Sequence, residues 1–356
     1  RLGPRPVNGD WDPYIFIRKA ACNFGWDWGP KVATCGIWKP IRLAAWSGVR
    51  LDGVRPLTTR VEGERWRLDI GVDLEWSGAG RLSSGLLLGA SLENPGKDLW
   101  ASVTPELDQR HAALVIEIKH PRLWWPRGFG EQYLSYLQLS LHADGVPNGV
   151  LDGWVGDIGF REISLNTMPD AYGSVFTFEV NGTPIFCKGA NWIPEGLFPA
   201  HMTREKYRQR LQQATAANMN MLRVWGGGFY ESDDFYDLCD ELGILVWQDF
   251  MFACAMYPEE EPYPALIEAE ARHQITRLSA HPSVALWCGG NECVWAHESW
   301  GAAPGETAWK QRLGGKSWGR GYYFDLLPRL MKELDPTRPY WPNSPWSGAE
   351  SVPSND

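Results

Sequence analysis

Ser283-Val284-Ala285-Leu286-Trp287-Cys288-Gly289-Gly290-Asn291-Glu292 is a short apolar run that stops at two glycines and then delivers an amide and a carboxylate. An unbroken apolar run of this length, β-branched or aromatic at several positions, reads as a parallel strand buried on both faces. In a (β/α)₈ barrel the chemistry sits at the carboxyl ends of the strands. Asn291 and Glu292 are therefore the first candidates for a site, and a glutamate held among aromatic side chains suits general acid catalysis. Taken alone, the same segment also reads as a strand followed by a solvated glutamate.

The surrounding sequence repeats the arrangement. Strand-like runs are expected over 186–190, 219–225 and 244–248, and 338–341 begins another. Helices are expected over 203–218, with Thr203 as the N-cap, and over 232–242, 263–278 and 321–334. Alternation of strand and helix implies a parallel sheet, either a barrel or a doubly wound sheet. With four or five of eight units present, a barrel would be incomplete. The strand ends read Lys188-Gly189-Ala190-Asn191-Trp192, Arg223-Val224-Trp225-Gly226-Gly227-Gly228, Trp247-Gln248-Asp249 and Asn291-Glu292. Polar groups and tryptophans recur at one relative position on four successive strands, which structural residues placed by chance would not favour.

Each member also has a plainer reading. The three glycines are not followed by Gly-Lys-Ser/Thr, so they do not make a phosphate loop. Trp225 alone reads as core. Arg223 reads as a buried ion-pair partner whose mate would be a carboxylate of the site. Asp249 reads as a residue that caps or bonds a neighbouring loop, and Cys288 and Cys293 as packing residues.

The first half of the chain is β-like. Residues 1–46 hold strand-like runs at 14–18 and 37–43 around the aromatic turn Asn23-Phe24-Gly25-Trp26-Asp27-Trp28-Gly29-Pro30. From 47 to 163 period-2 alternation dominates, as in Arg65-Trp66-Arg67-Leu68-Asp69-Ile70-Gly71-Val72, which suggests a β-sandwich. Asn181-Gly182 is a hairpin turn signal.

Composition bounds the function. The net charge of -9 argues against a nucleic-acid or anionic-membrane partner. No apolar run approaches a membrane span. Seven cysteines without a Cys-x-x-Cys pair make neither a disulfide framework nor a zinc site, and the seven histidines lack metal-ligand spacing. Reduced thiols in a cytoplasmic protein, with no cofactor, are the expectation. The 21 tryptophans stand out, because an indole face packs on the apolar face of a pyranose ring.

Five ordered motifs complete the reading: Trp26-Asp27-Trp28-Gly29-Pro30, Leu123-Trp124-Trp125-Pro126, Lys188-Gly189-Ala190-Asn191-Trp192-Ile193-Pro194, Arg223-Val224-Trp225-Gly226-Gly227-Gly228 and Gly289-Gly290-Asn291-Glu292. Together they resemble the β-mannosidases of glycoside hydrolase family 2, over essentially the whole chain. The resemblance implies the end of a jelly-roll sugar-binding domain at 1–46, an immunoglobulin-like β-sandwich at 47–163 and the first part of a TIM barrel at 164–356. It implies an exo-acting retaining hydrolase that removes terminal β-linked mannose from oligosaccharides. Glu292 would be the general acid/base, Asn291 the donor to the sugar 2-hydroxyl, and Arg223 the neighbour of the nucleophile. Trp225 and Trp300 would wall the terminal sugar, while Asp27 and Trp28 would reach over from the first domain to select mannose. Asn191, Trp192 and Asp249 join the substrate-binding set. A retaining mechanism needs a second carboxylate, which in the family ends a later barrel strand, so this chain is expected to lack the nucleophile and to be inactive alone. Other family 2 activities, such as exo-β-glucosaminidase, or a non-catalytic carbohydrate-binding role remain as alternatives, and the oligomeric state stays open.

Overall fold

In the computed structural model, residues 3–9, 13–77, 85–145, 149–196, 198–301 and 303–348 are described. The chain opens with a turn of 3₁₀-helix at Pro13–Phe16, where a strand was expected. Tyr14 and Ile15 are both buried, and the Tyr14 hydroxyl donates to the Cys254 carbonyl at 3.2 Å. Strands β1 (Phe24–Trp26) and β2 (Gly29–Lys31) form a tight hairpin with Asp27 and Trp28 at its turn. Residues 37–43 form no strand. Ile37, Ile41 and Leu43 are 79%, 80% and 100% exposed, so their alternation meets no partner surface among the described residues.

A β-sandwich follows, built from β3 (Val49–Glu62), β4 (Arg65–Trp76), β5 (Leu86–Leu92), β6 (Leu99–Val103), β7 (His111–Lys119), β8 (Ser135–Ala143) and β9 (Val150–Ile158). One sheet runs β3-β4-β7 and the other β6-β5-β8-β9, with antiparallel neighbours throughout. The alternation read from the sequence is what faces them together. Trp66, Leu68, Ile70 and Val72 of β4 are buried against Leu88, Leu137 and Leu139 of the facing sheet. Each such side chain contributes about 1.5–3 kcal/mol of burial.

Strands β10 (Ile163–Asn166), β11 (Thr177–Val180) and β12 (Thr183–Ile185) make a small antiparallel sheet whose last hairpin turns at Asn181-Gly182. Beyond it the parallel sheet runs in chain order through β13 (Gly189–Trp192), β14 (Met221–Val224), β15 (Leu245–Asp249), β16 (Val284–Cys288) and β17 (Tyr340–Trp341). Helices α1 (Arg204–Ala216), α2 (Asp233–Leu242), α3 (Tyr263–Leu278), α4 (Cys293–Ser299), α5 (Trp309–Leu313) and α6 (Leu327–Leu334) lie between or after these strands. Thr203 caps α1 by accepting from the Lys206 N–H, and α2 ends on Gly243 in the left-handed region at φ 70. This is an incomplete (β/α)₈ barrel. Among the described residues no helix is long and apolar enough to cross a membrane.

Two boundaries differ from the sequence reading. The first barrel strand begins at Gly189, because the Asn220 side chain takes the backbone of Phe186 and Lys188 at 3.0 and 2.7 Å and holds that stretch outside the ladder. The last helix opens with a π-helical turn at Tyr322–Leu326.

Sandwich and barrel meet on Trp124, which is fully buried and donates its indole N–H to the Asp240 carbonyl at 3.0 Å. Beside it Arg161, also buried, donates to the carbonyls of Pro282 and Val284 at 3.0 and 2.9 Å, tying the end of the sandwich to the entry of β16. Trp124→Ala should lower stability by about 3–5 kcal/mol, the usual loss for emptying a large aromatic site. Urea unfolding of the purified chain checks this, and a loss below about 1 kcal/mol would mean the junction does not rest on this residue.

Candidate active site

At the carboxyl ends of the parallel strands the side chains read from the sequence come together. Asn191 and Arg223 are register partners on β13 and β14, and Arg223 pairs in turn with Trp247 on β15. The Arg223 guanidinium donates to Asp249 at 3.2 Å from Nε and 2.8 Å from the far nitrogen. It also donates to the Asn191 side-chain oxygen at 3.3 Å and to the Asn291 side-chain oxygen at 2.9 Å. Asp249 is wholly buried and accepts two more bonds, from the Gly226 backbone N–H at 2.9 Å and the Trp247 indole at 3.0 Å. Burial pushes the Asp249 carboxyl up from its ordinary range, and Arg223 and the other donors oppose the push. Burial likewise pulls the Arg223 guanidinium down, but Asp249, Cys288 and Glu292 together outweigh it and hold Arg223 above its usual value. Asp249 thus bonds the loop after β14 through the Gly226 N–H, as its plainer reading had it, and does more. It is the counter-ion of Arg223.

Asn291 and Glu292 leave β16 under tight backbone control. The Asn291 N–H donates to the Phe252 carbonyl at 2.8 Å, its carbonyl accepts from the Cys254 N–H at 2.9 Å, and the Glu292 N–H donates to the Ser344 carbonyl at 2.8 Å. Glycine is required just before them: a Cβ on Gly289 would lie 2.1 Å from the Pro342 carbonyl oxygen. Glu292 adopts a left-handed backbone, φ 57, which turns its side chain out of the strand line. Its Oε2 accepts from the Cys254 thiol at 2.9 Å, and that sulfur accepts from the Asn291 side-chain amide at 3.3 Å.

An aromatic wall stands beside this group. Trp225, Ala253, Cys254 and Cys22 form one buried cluster, with Trp26, Ile193 and Trp300 packed against it. The rings of Trp26 and Trp28 lie 4.9 and 5.8 Å from that of Trp225, both edge-on. The β1–β2 hairpin is thus folded over the strand ends. Backbone bonds hold it there: Cys22 N–H to Gly227 carbonyl, Asn8 N–H to Cys254 carbonyl and Met256 N–H to Pro6 carbonyl, at 2.9, 2.9 and 3.0 Å. Asp27, at the hairpin turn, is exposed.

The comparisons with known proteins match this architecture. Residues 4–39 match the family 2 galactose-binding domain-like model, and residues 176–344 match the family 2 TIM barrel domain. The chain belongs to glycoside hydrolase family 2. It is 37% identical over 98% of its length to a β-mannosidase of Capra hircus, and 34% identical over 95% to β-mannosidase B of Emericella nidulans. In each case it spans 40% of the length of that curated relative. The crystal structure of a β-D-mannosidase from Dictyoglomus thermophilum superposes with a TM-score of 0.86 at 41% identity, covering 98% of this chain and 41% of that one. An exo-chitosanase from Amycolatopsis orientalis shares the fold with a TM-score of 0.64 at 20% identity, over 86% of this chain and 34% of that one.

Within this family 2 site one expected residue lies elsewhere. Trp192 does not line the group. Its ring packs 4.9 Å from Phe235 under α1 and α2, and its indole donates at 2.9 Å to Glu231, which also accepts from the Tyr207 hydroxyl. Trp247, read from the sequence as part of the third strand end, belongs through its bond to Asp249, and one neighbour that the sequence did not single out belongs as well: Cys254. The 250–257 loop carries no periodic signal, so nothing local marked Cys254. Among the described residues no cluster of histidine, cysteine and carboxylate side chains could hold a metal ion.

Glu231 generates a pH prediction. Burial pushes its carboxyl up from 4.5 to about 7 against the pull of Tyr207, Trp192 and Arg277. Between these values the folded chain binds the proton that the unfolded chain has lost, so this residue makes stability fall as pH rises. Full development of the shift amounts to about 3 kcal/mol above pH 7. Glu231→Gln should therefore narrow the stability difference between pH 5 and pH 8, measured as urea midpoints. An unchanged difference would mean Glu231 is ionised in the fold throughout.

Proposed function

We propose that this chain carries the acid/base half of an exo-acting, retaining β-mannosidase site. The observation that carries the reading is the placement of Glu292. It leaves the carboxyl end of β16 beside Asn291, whose amide oxygen is bonded to the buried Arg223–Asp249 pair, and the Trp225 wall adjoins it. In the first step Glu292 gives its proton to the glycosidic oxygen as the bond to the anomeric carbon breaks. In the second it takes a proton from the water that resolves the glycosyl-enzyme. Asn291, with its oxygen held by Arg223 and its amide on Cys254, is fixed in orientation beside the sugar 2-hydroxyl. The carboxylate that attacks the anomeric carbon must lie about 5–5.5 Å from Glu292. Asp249 is committed to Arg223, and among the described residues we assign none to that role.

Mannose as the sugar is supported by the names of the relatives above 30% identity and by the β1–β2 hairpin, which brings Trp28 edge-on to Trp225 and carries Asp27 beside it in sequence. A glucosaminidase-type activity has only lower-identity neighbours behind it, and these carry the fold alone.

In a full-length protein containing this sequence, Glu292→Gln should lower kcat/KM, which reports the glycosylation step, on a mannose-leaving disaccharide by roughly 10²–10⁴-fold, the usual contribution of a positioned acid. It should lower far less the kcat/KM for release of dinitrophenol, a leaving group that needs no proton. Equal losses on the two substrates would refute the acid role. Asp27→Ala should raise the barrier for a mannoside by about 2–4 kcal/mol and much less for its 2-deoxy analogue. Equal effects would leave Asp27 a loop-structuring residue.

A further inference from the structure

Resting on the reading of Glu292 as the acid/base, we propose that Cys254 is its positioning residue: the thiol occupies Oε2 of the carboxylate and so reserves Oε1 for the glycosidic oxygen. The distance is a hydrogen bond, 2.9 Å from sulfur to Oε2, and the sulfur is itself oriented by the Asn291 amide at 3.3 Å. Cys254 is 2% exposed, so little water competes for this contact. Both residues stand on left-handed backbone, φ 47 at Cys254 and φ 57 at Glu292. For non-glycine residues this conformation is unfavourable and persists only where the surroundings over-determine it. Here they do. The Cys254 N–H donates to the Asn291 carbonyl, and its carbonyl accepts from the Asn8 N–H and the Tyr14 hydroxyl. The thiol is therefore fixed by the barrel on one side and by the first region of the chain on the other.

The chemistry of a thiol suits the task. Burial first, and then the Glu292 carboxylate, push the Cys254 thiol far above its usual range, so it remains a neutral S–H donor. A neutral S–H is a weak donor. It can mark one carboxylate oxygen without holding the carboxylate ionised, as a neighbouring arginine would. When Glu292 is protonated, the sulfur at Oε2 leaves the proton on the oxygen that faces the sugar. When Glu292 is ionised, the S–H donates again. Asp249, Arg223, Asn291, Cys254 and Glu292 thus form one chain of bonded side chains from the buried ion pair to Oε2, the carboxylate oxygen that does not react.

The test compares Cys254→Ala and Cys254→Ser with Glu292→Gln in a full-length protein containing this sequence. Cys254→Ala should lower kcat/KM on the mannose-leaving disaccharide by about 10-fold or more, as expected when a reacting group is slightly misplaced. It should hardly affect kcat/KM for dinitrophenol release, and Cys254→Ser, which keeps a donor, should recover most of the loss. Equal losses on both substrates would make Cys254 a packing residue and overturn the proposal. Leaving-group dependence in Glu292→Gln but not in Cys254→Ala would overturn it alone; absence from both would overturn the acid role as well. A second measurement on the same full-length protein needs no turnover. The S–H stretching band of Cys254, assigned by its loss in Cys254→Ser, should lie at lower wavenumber in the wild type than in Glu292→Gln. A band that does not move would mean the thiol does not donate to Glu292, and the proposal would fall.

Discussion

The Arg223–Asp249 ion pair is the constraint on which the strand ends depend. Asp249 is wholly buried, and a buried charge is tolerated only when it is paired and its remaining lone pairs are bonded. Arg223 supplies the pairing, and the Gly226 N–H and Trp247 indole complete the set. To reach Asp249 the Gly226 backbone must press onto the loop after β15, where a Cβ would lie 2.5 Å from the Phe252 carbonyl oxygen. Arg223 still has a donor for Asn291, and from there order passes to Cys254 and Glu292. Removing one member of the pair leaves an uncompensated buried charge, an effect of about 3–5 kcal/mol in comparable cases.

A second dependence joins the regions. The turns after β14 and β15 are bonded by Pro6, Asn8, Tyr14 and Cys22, so the first region completes the backbone pairing of the barrel mouth. The wall follows from the same contact, since Trp26 and Trp28 approach Trp225 only because the hairpin is held there. On the opposite side Trp124 and Arg161 bind the sandwich to α2 and β16. The barrel sheet is thus gripped by both preceding regions, which is how an aromatic loop near residue 27 can stand beside a glutamate near residue 292.

The barrel strands were legible because burial on both faces writes a continuous apolar run. Val284–Cys288 and Leu245–Asp249 lie where such runs end in polar residues. The sandwich was legible because one buried face writes alternation, as along β4. Runs 14–18 and 37–43 misled for one reason: a short apolar stretch also describes a turn packed at one side and a segment whose Ile37, Ile41 and Leu43 stay exposed. At the site, residue types on strand ends could be read, but not pairings made across the sheet. Arg223 could be read as the partner of a site carboxylate, but nothing in the sequence chose Asp249, and Trp192 gave no sign of its turn towards Glu231. Cys254 lies in a loop whose conformation is set by contacts over 200 residues away in sequence, as its bond from Tyr14 shows.

The central claim is that Glu292 is the proton-transferring group of a retaining reaction. The most direct measurement replaces its second role with an external nucleophile. In a full-length protein containing this sequence, Glu292→Ala is given dinitrophenyl β-mannoside with and without azide. Azide needs no base, so it attacks the anomeric carbon of the glycosyl-enzyme, displaces the enzyme carboxylate and forms mannosyl azide. The account predicts a rise in rate with azide and a product of β configuration. No rise, or an α product, would contradict it.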